Sequence, residues 1–278
     1  MDTHRRTLVT AALGAGTLAA AGLPATAFAQ DTGPVIEQIR RRGTMRVGVA
    51  TFMPWVMRDR AGELIGYEID VSNRLAKDLG VKVEFVPTAW DGIIPALQAA
   101  RFDLIIGGMT PTPQRRESID FTDPYSYTGI GMVANSRIAG GRTKPADFDA
   151  PNVTIAMRRG IAAVADVQKQ MPKAQVVFFD DDAQAILEVL NGKAHAYVAS
   201  EPKPTFAFLD NRDTLYKPFN TFLADSFEAM GLRKGDPETQ KVLNAWIAER
   251  FKDGFLKERR TYWFASRDWA KQLPDGAK

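Results

Sequence analysis

A chain of 278 residues, 45% apolar and 25% charged, is long enough for two domains with sizeable cores and has ordinary globular rather than disordered composition. Its formal net charge is only +3 and its basic residues form no stripe interleaved with aromatics, so a pI of about 9.0 does not by itself argue for a nucleic-acid partner. With no cysteine and only His4 and His195, disulfides, thiolate zinc sites, a cysteine nucleophile and a lipid-modified N-terminal cysteine are excluded. A histidine metal site or a Ser-His-Asp triad has little room, so no metal, cofactor or catalytic residue is expected. His195 reads as a structural residue at a strand start.

Residues 1–29 read as an export signal. Arg5-Arg6 precede an uncharged run from Leu8 to Phe28, and Ala27-Phe28-Ala29 offers a small-x-small cleavage site before Gln30. The arginine pair and weak hydrophobicity resemble a twin-arginine signal. The rival reading, a membrane anchor, is disfavoured by Pro24 and by the alanine, glycine and threonine content of the run. Residues 30–42 form a polar lead-in with a short helical stretch.

Thr44 to Ala50 alternates like a first strand, after a break at Gly43. Asp59-Arg60-Ala61-Gly62 signals the turn of a small hairpin within Val56 to Tyr67. Asp70 to Leu79 places Val71, Leu75 and Leu79 on one helical face and stops at Gly80. Val81 to Pro87 is a strand, Asp91 to Ala100 a helix burying Ile93, Ile94 and Leu97, and Leu104 to Ile106 a third strand. Such a βαβαβ order implies parallel strands with right-handed crossovers, and ligands in such sheets sit beyond the carboxyl ends of the strands.

The third strand delivers Gly107 to Arg116, GGMTPTPQRR. Thr112 followed by Pro113 reads as an N-cap and first helical residue, which puts Arg115 in the first turn. Gly107 and Gly108 allow close approach of a ligand, Thr110 offers a hydroxyl, and the guanidinium fork of Arg115 matches two carboxylate oxygens. From these ten residues alone, a plain strand–turn–helix corner with a surface arginine is an equally good account.

Ile130 to Ala134 reads as another strand, and the polar stretch from Asn135 to Pro151 marks a boundary. Strands at Val153–Met157, Gln175–Phe179 and Ala196–Ala199, with helices from about Ile161 to Gln170 and from Asp181 to Asn191, then repeat the βαβαβ order as a second lobe. Ala229 to Arg233 is a further strand. Pro237 to Phe251 is a helix carrying Val242, Leu243, Trp246 and Ile247.

The stretches MRVGVATFMPW, GELIGYEIDVSNRLAKDLGVKVEFVPTAWDGIIPAL, FDLIIGGMTPTPQRRESIDFTDPY and GLRKGDPE, in this order and spacing, resemble the extracytoplasmic solute-binding proteins of polar amino-acid ABC importers. The resemblance covers nearly all of the mature chain. It implies an α/β, two-lobed periplasmic-binding-protein fold of type II, each lobe a mostly parallel sheet flanked by helices and the lobes joined by two crossover strands. Residues 43–131 and 229–278 would form the first lobe and 132–228 the second. It further implies a monomer in the periplasm that hands a small carboxylate ligand, an amino acid or an analogue, to a permease in the inner membrane.

Carried over by position, Arg115 matches the family's carboxylate-binding arginine, Gly108 and Thr110 its partners, Phe52 the aromatic that packs on the ligand, and Trp90 a second pocket residue. Core packing is the default account of Phe52, Trp55 and Trp90. In Phe52-Met53-Pro54-Trp55, however, large apolar groups sit on a loop after a strand end, so one of them should line the cleft.

Two departures accompany these matches. Ser200 stands where the family places the aspartate that pairs with the ligand's ammonium; Glu201 and Glu228 are possible substitutes, although each reads first as a surface carboxylate. Gly160, Ile161 and Ala162 replace a Gly-Thr-Thr, preceded by Arg158 and Arg159. Strand alternation lets only one of these arginines face the cleft. A second arginine there would favour an extra carboxylate on the ligand, but a solvated pair at a strand end is the preferred reading. The function implied is solute capture for import. The alternatives are a periplasmic cyclohexadienyl dehydratase, which needs a carboxylic acid to protonate the leaving hydroxyl, with Glu201 the available candidate, and a ligand-sensing partner of a membrane receptor.

Overall fold

The structure is a computed structural model that describes residues 33–274, so the export signal and its cleavage site lie outside the described residues. The lead-in forms helix α1 (Val35–Arg42), whose first amides, lacking partners within the helix, are satisfied from far along the chain. Val35 N donates to Asp236 Oδ2 at 2.7 Å and Ile36 N to Thr239 Oγ1 at 2.9 Å. Strand β1 (Thr44–Val49) follows, then the hairpin β2 (Met57–Arg58) and β3 (Leu64–Ile65), helix α2 (Tyr67–Leu79), β4 (Lys82–Pro87), α3 (Ile93–Gln98), β5 (Leu104–Ile105), α4 (Pro113–Ser118) and β6 (Asp120–Phe121). Helix α2 begins three residues before the expected Asp70, because Tyr67 and Glu68 are themselves buried.

The chain then runs through β7 (Ser126–Asn135), α5 (Ser136–Ala139), β8 (Thr154–Arg158), α6 (Ala163–Gln170), β9 (Gln175–Phe179), α7 (Asp182–Leu190) and β10 (Ala196–Ser200). It ends with α8 (Lys203–Asp210), β11 (Leu215–Tyr216), β12 (Ala224–Glu228), β13 (Gly231–Leu232), α9 (Pro237–Lys252) and α10 (Phe255–Arg260). The sequence pattern misses α8 and β12. The first follows Pro202 and contains Pro204, and the second reads Ala-Asp-Ser-Phe-Glu, a polar string that becomes a strand only beside β7.

Two sheets result. In the first, β4, β1 and β5 are parallel and β13 and β6 complete the order β4-β1-β5-β13-β6, with β13 antiparallel to both its neighbours. In the second, β10, β8 and β9 are parallel, β7 pairs antiparallel with β10, and the order is β11-β7-β10-β8-β9. The two connections between the sheets lie side by side: β12 pairs antiparallel with β7 from Ser126↔Glu228 to Ile130↔Ala224. Strand β7 therefore begins four residues before the expected Ile130, since Ser126 to Gly129 belong to a connection rather than to an amphipathic face. The C-terminal segment seals the first lobe with Trp263 and the fully buried Trp269, and Trp263 Nε1 donates to Asp70 Oδ2 at 2.6 Å.

Where the connections enter the first lobe, two carboxyl groups are buried together. Glu68 accepts from Tyr125 Oη at 2.6 Å, and Glu228 accepts from Thr128 Oγ1 at 2.8 Å. Glu228 is therefore not the surface carboxylate expected of it. Burial pushes the Glu68 carboxyl well above the usual range and nearby Glu228 adds to this, against the Tyr125 hydroxyl and the Gly108 amide. Burial also raises Glu228, against the Ser126 and Thr128 hydroxyls and the charge of Arg260.

The folded chain thus keeps protons that the unfolded chain has lost. This contribution to stability is complete below the ordinary carboxylate pKa and drains as pH rises through the raised values. As pH rises above the ordinary carboxylate range, the thermal midpoint of the wild type should fall relative to that of Glu68→Gln, which loses the titration of Glu68 and keeps that of Glu228. Parallel midpoint curves would show that Glu68 does not titrate differently on folding.

Candidate functional site

After β1 the chain makes a tight loop in which Phe52 and Val56 exchange backbone hydrogen bonds of 2.8 Å each way. This turns Trp55 into the core, 0% exposed, with Phe52 stacked on it at 4.3 Å between ring centroids and 8° between planes. The two rings divide the work: Phe52 faces the cleft and Trp55 lies behind it. Gly108, which follows β5, has φ +74°, and a Cβ there would sit 2.9 Å from Trp55 Cδ1. Backbone conformation and the neighbouring indole both require glycine at that turn.

The expected cap forms. Thr112 Oγ1 accepts from Arg115 N at 3.2 Å, and Pro113 opens α4. Arg115 then reaches back along its own loop, Nη1 donating to Thr110 O at 2.7 Å, while Nη2 donates to Gly160 O of the other lobe at 2.9 Å. Trp90 Nε1 donates to the same Gly160 carbonyl at 3.2 Å. The Thr110 hydroxyl is 3.2 Å from that of Ser226 on β12. No carboxylate partners Arg115 in these contacts, and burial lowers its pKa to about 10, which leaves a partly desolvated cation at neutral pH.

From the second lobe comes Arg158, the last residue of β8. It is 7% exposed, and its Nη1 donates across the cleft to Thr51 O at 2.9 Å. Its guanidinium carbon lies 5.9 Å from the ring centroids of both Phe52 and Trp90. The carboxylate of Asp182 is 3.7 Å away and also accepts from Tyr197 Oη at 2.5 Å. Arg158 Nε has no hydrogen-bond partner among the described residues. The preferred expectation of a solvated arginine pair is corrected here: Arg158 is buried at the cleft, and only Arg159 points outward, 3.6 Å from Asp180.

Between the lobes lies a cavity of about 20 Å³, room for a water molecule rather than an amino acid. One lobe contributes Phe52, Trp90, Gly108, Thr110 and Arg115 to its wall, and the other Arg158, Ile161, Ala162 and Ser200. Of the residues expected at the site, Gly160 contributes its carbonyl, while Trp55 and Glu201 lie off the wall. Glu201 Oε2 accepts from Thr205 N at 3.1 Å and Oε1 lies 3.7 Å from Lys217 Nζ. His195 is structural: its Nδ1 accepts from Thr154 N at 3.1 Å. Asp182 and the Thr51 carbonyl were not anticipated. Asp182 sits in a run of three aspartates that reads as a solvated helix start.

The profile of the bacterial extracellular solute-binding proteins, family 3, matches residues 45–266. An L-cystine-binding protein of Escherichia coli is 30% identical over 254 residues, 88% of this chain and 91% of that protein. Among solved structures, a putative binding component of an ABC transporter from Wolinella succinogenes complexed with lysine superposes with a TM-score of 0.77. It is 32% identical, over 83% of this chain and 99% of that one. An ancestral amino acid-binding protein, a precursor of cyclohexadienyl dehydratase, gives a TM-score of 0.75 at 35% identity, over 84% of this chain and 100% of that one.

Proposed function

Because the chain belongs to the bacterial extracellular solute-binding proteins of family 3, we propose that it is the periplasmic substrate-binding component of an ABC importer. It captures an amino acid or related small carboxylate between its lobes, as a monomer, and delivers it to a permease in the inner membrane. The observation that carries this reading is Arg115, a partly desolvated cation with carbonyl partners from both lobes. A carboxylate at Arg115 would satisfy that charge with a two-point hydrogen bond. The Thr110 hydroxyl stands beside it, and Phe52 and Trp90 provide faces for the ligand's apolar part.

The cavity is too small for such a ligand, so entry requires the lobes to part, and capture is their return. Ligand contacts available only when both lobes touch it shift the population toward closure. The two paired connections, β7 and β12, are where that motion is accommodated. A dehydratase reading lacks support from the cavity wall, where the described residues include no Asp or Glu side chain to protonate a leaving hydroxyl.

A thermal-shift and calorimetric screen of the mature protein against amino acids, dicarboxylates and prephenate tests this reading. A ligand at about a hundred times its Kd should add about 2.7 kcal/mol to stability and raise the midpoint accordingly. A screen in which no carboxylate raises it would overturn the reading, and consumption of prephenate would replace it with the enzymatic one.

A further inference from the structure

We infer that the ligand carries two anionic groups and no ammonium: a small dicarboxylate, with one carboxylate on Arg115 and the other on Arg158. The inference rests on the solute-binding reading and narrows its substrate class. Two guanidinium groups, one from each lobe, converge on a single indole, their carbons 5.5 Å and 5.9 Å from the Trp90 ring. Both line the cavity, and no acidic side chain among the described residues does. A positively charged chamber of this kind selects anions and leaves an ammonium without an anionic partner, a costly arrangement once the lobes exclude water.

Asp182 does not remove the charge. One carboxylate at 3.7 Å from Arg158 also faces the buried Lys203, whose ammonium it stabilises, and it accepts from Tyr197. Asp182 therefore offsets one of two cations and sits behind Arg158 rather than in the wall. Arg158 keeps an unpartnered Nε with its side chain more than nine-tenths buried. Its hydrogen bond to the Thr51 carbonyl is one that a ligand carboxylate could replace with a charge-assisted pair. Ser200 contributes a neutral hydroxyl to the cavity wall.

Matched ligands separate this inference from the reading beneath it. Isothermal titration would compare glutarate with L-glutamate, and dithiodipropionate with L-cystine; within each pair the members differ only by their ammonium groups. The member without ammonium should bind tighter by about tenfold or more in both pairs. The ratio of glutarate to butyrate affinity should fall by about tenfold in Arg158→Gln and less in Arg158→Lys, with unliganded melting curves showing that both variants fold. Equal or tighter binding of L-glutamate and L-cystine overturns the inference, as does preference for L-arginine or L-lysine over glutarate, while leaving solute binding intact. Failure of every carboxylate, butyrate included, overturns both.

Discussion

Arg115→Ala should weaken binding of any carboxylate ligand by about 2–5 kcal/mol, enough to remove detectable calorimetric heat for a micromolar ligand. The loss has two sources. The ligand's carboxylate is left in the cleft without its fork, and the link from the first lobe to the Gly160 carbonyl disappears. Arg115→Lys should fall between wild type and alanine, because an ammonium keeps the charge but not the two-point geometry. Without ligand the sign differs. Arg115 is a half-buried cation held by carbonyls, so its removal relieves part of a desolvation cost, and the unliganded midpoint of Arg115→Ala should be close to that of the wild type. Retained affinity in Arg115→Ala would dispose of Arg115 as the anchor. A collapsed midpoint would mean that the arginine holds the fold instead.

Trp55→Ala should cost about 3–5 kcal/mol of folding stability, read from chemical denaturation. The indole is fully buried between Phe52 at 4.3 Å and Phe264 at 4.7 Å, and it fills the space that Gly108 leaves open by lacking a Cβ. Its deletion opens a void at the junction of the β1 loop and the Gly108 turn, which surrounding side chains can only partly close. Trp55→Phe removes less volume and should cost less than half as much. Ligand affinity should drop in Trp55→Ala as Phe52 loses its backing, but by less than in Arg115→Ala. A stability loss below about 1 kcal/mol would show that the site rests on other supports.

The elements legible in the sequence are those whose causes are local. Thr112, Pro113 and Arg115 lie within one turn, so cap chemistry sufficed to place Arg115 at the start of α4. The βαβαβ order of each lobe follows from apolar periodicity, punctuated in the first lobe by Gly43 and Gly80. The resemblance to solute binders rests on whole stretches in which such local signals recur in order.

What only the tertiary structure decided are the contacts that one lobe imposes on the other. Strand alternation allowed either Arg158 or Arg159 at the cleft. The choice is made by Phe52, Trp90 and the Thr51 carbonyl, the last of these 107 residues away. Glu201 adjoins Ser200 yet leaves the cleft, because Thr205 N and Lys217 hold its carboxylate elsewhere. Strand β12 is polar and owes its existence to pairing with β7, about a hundred positions earlier. A helix depends on neighbours three or four residues apart and is therefore written along the chain. The charge balance of a cleft is a sum over groups that meet only after both lobes have folded, so its sign emerges with the fold.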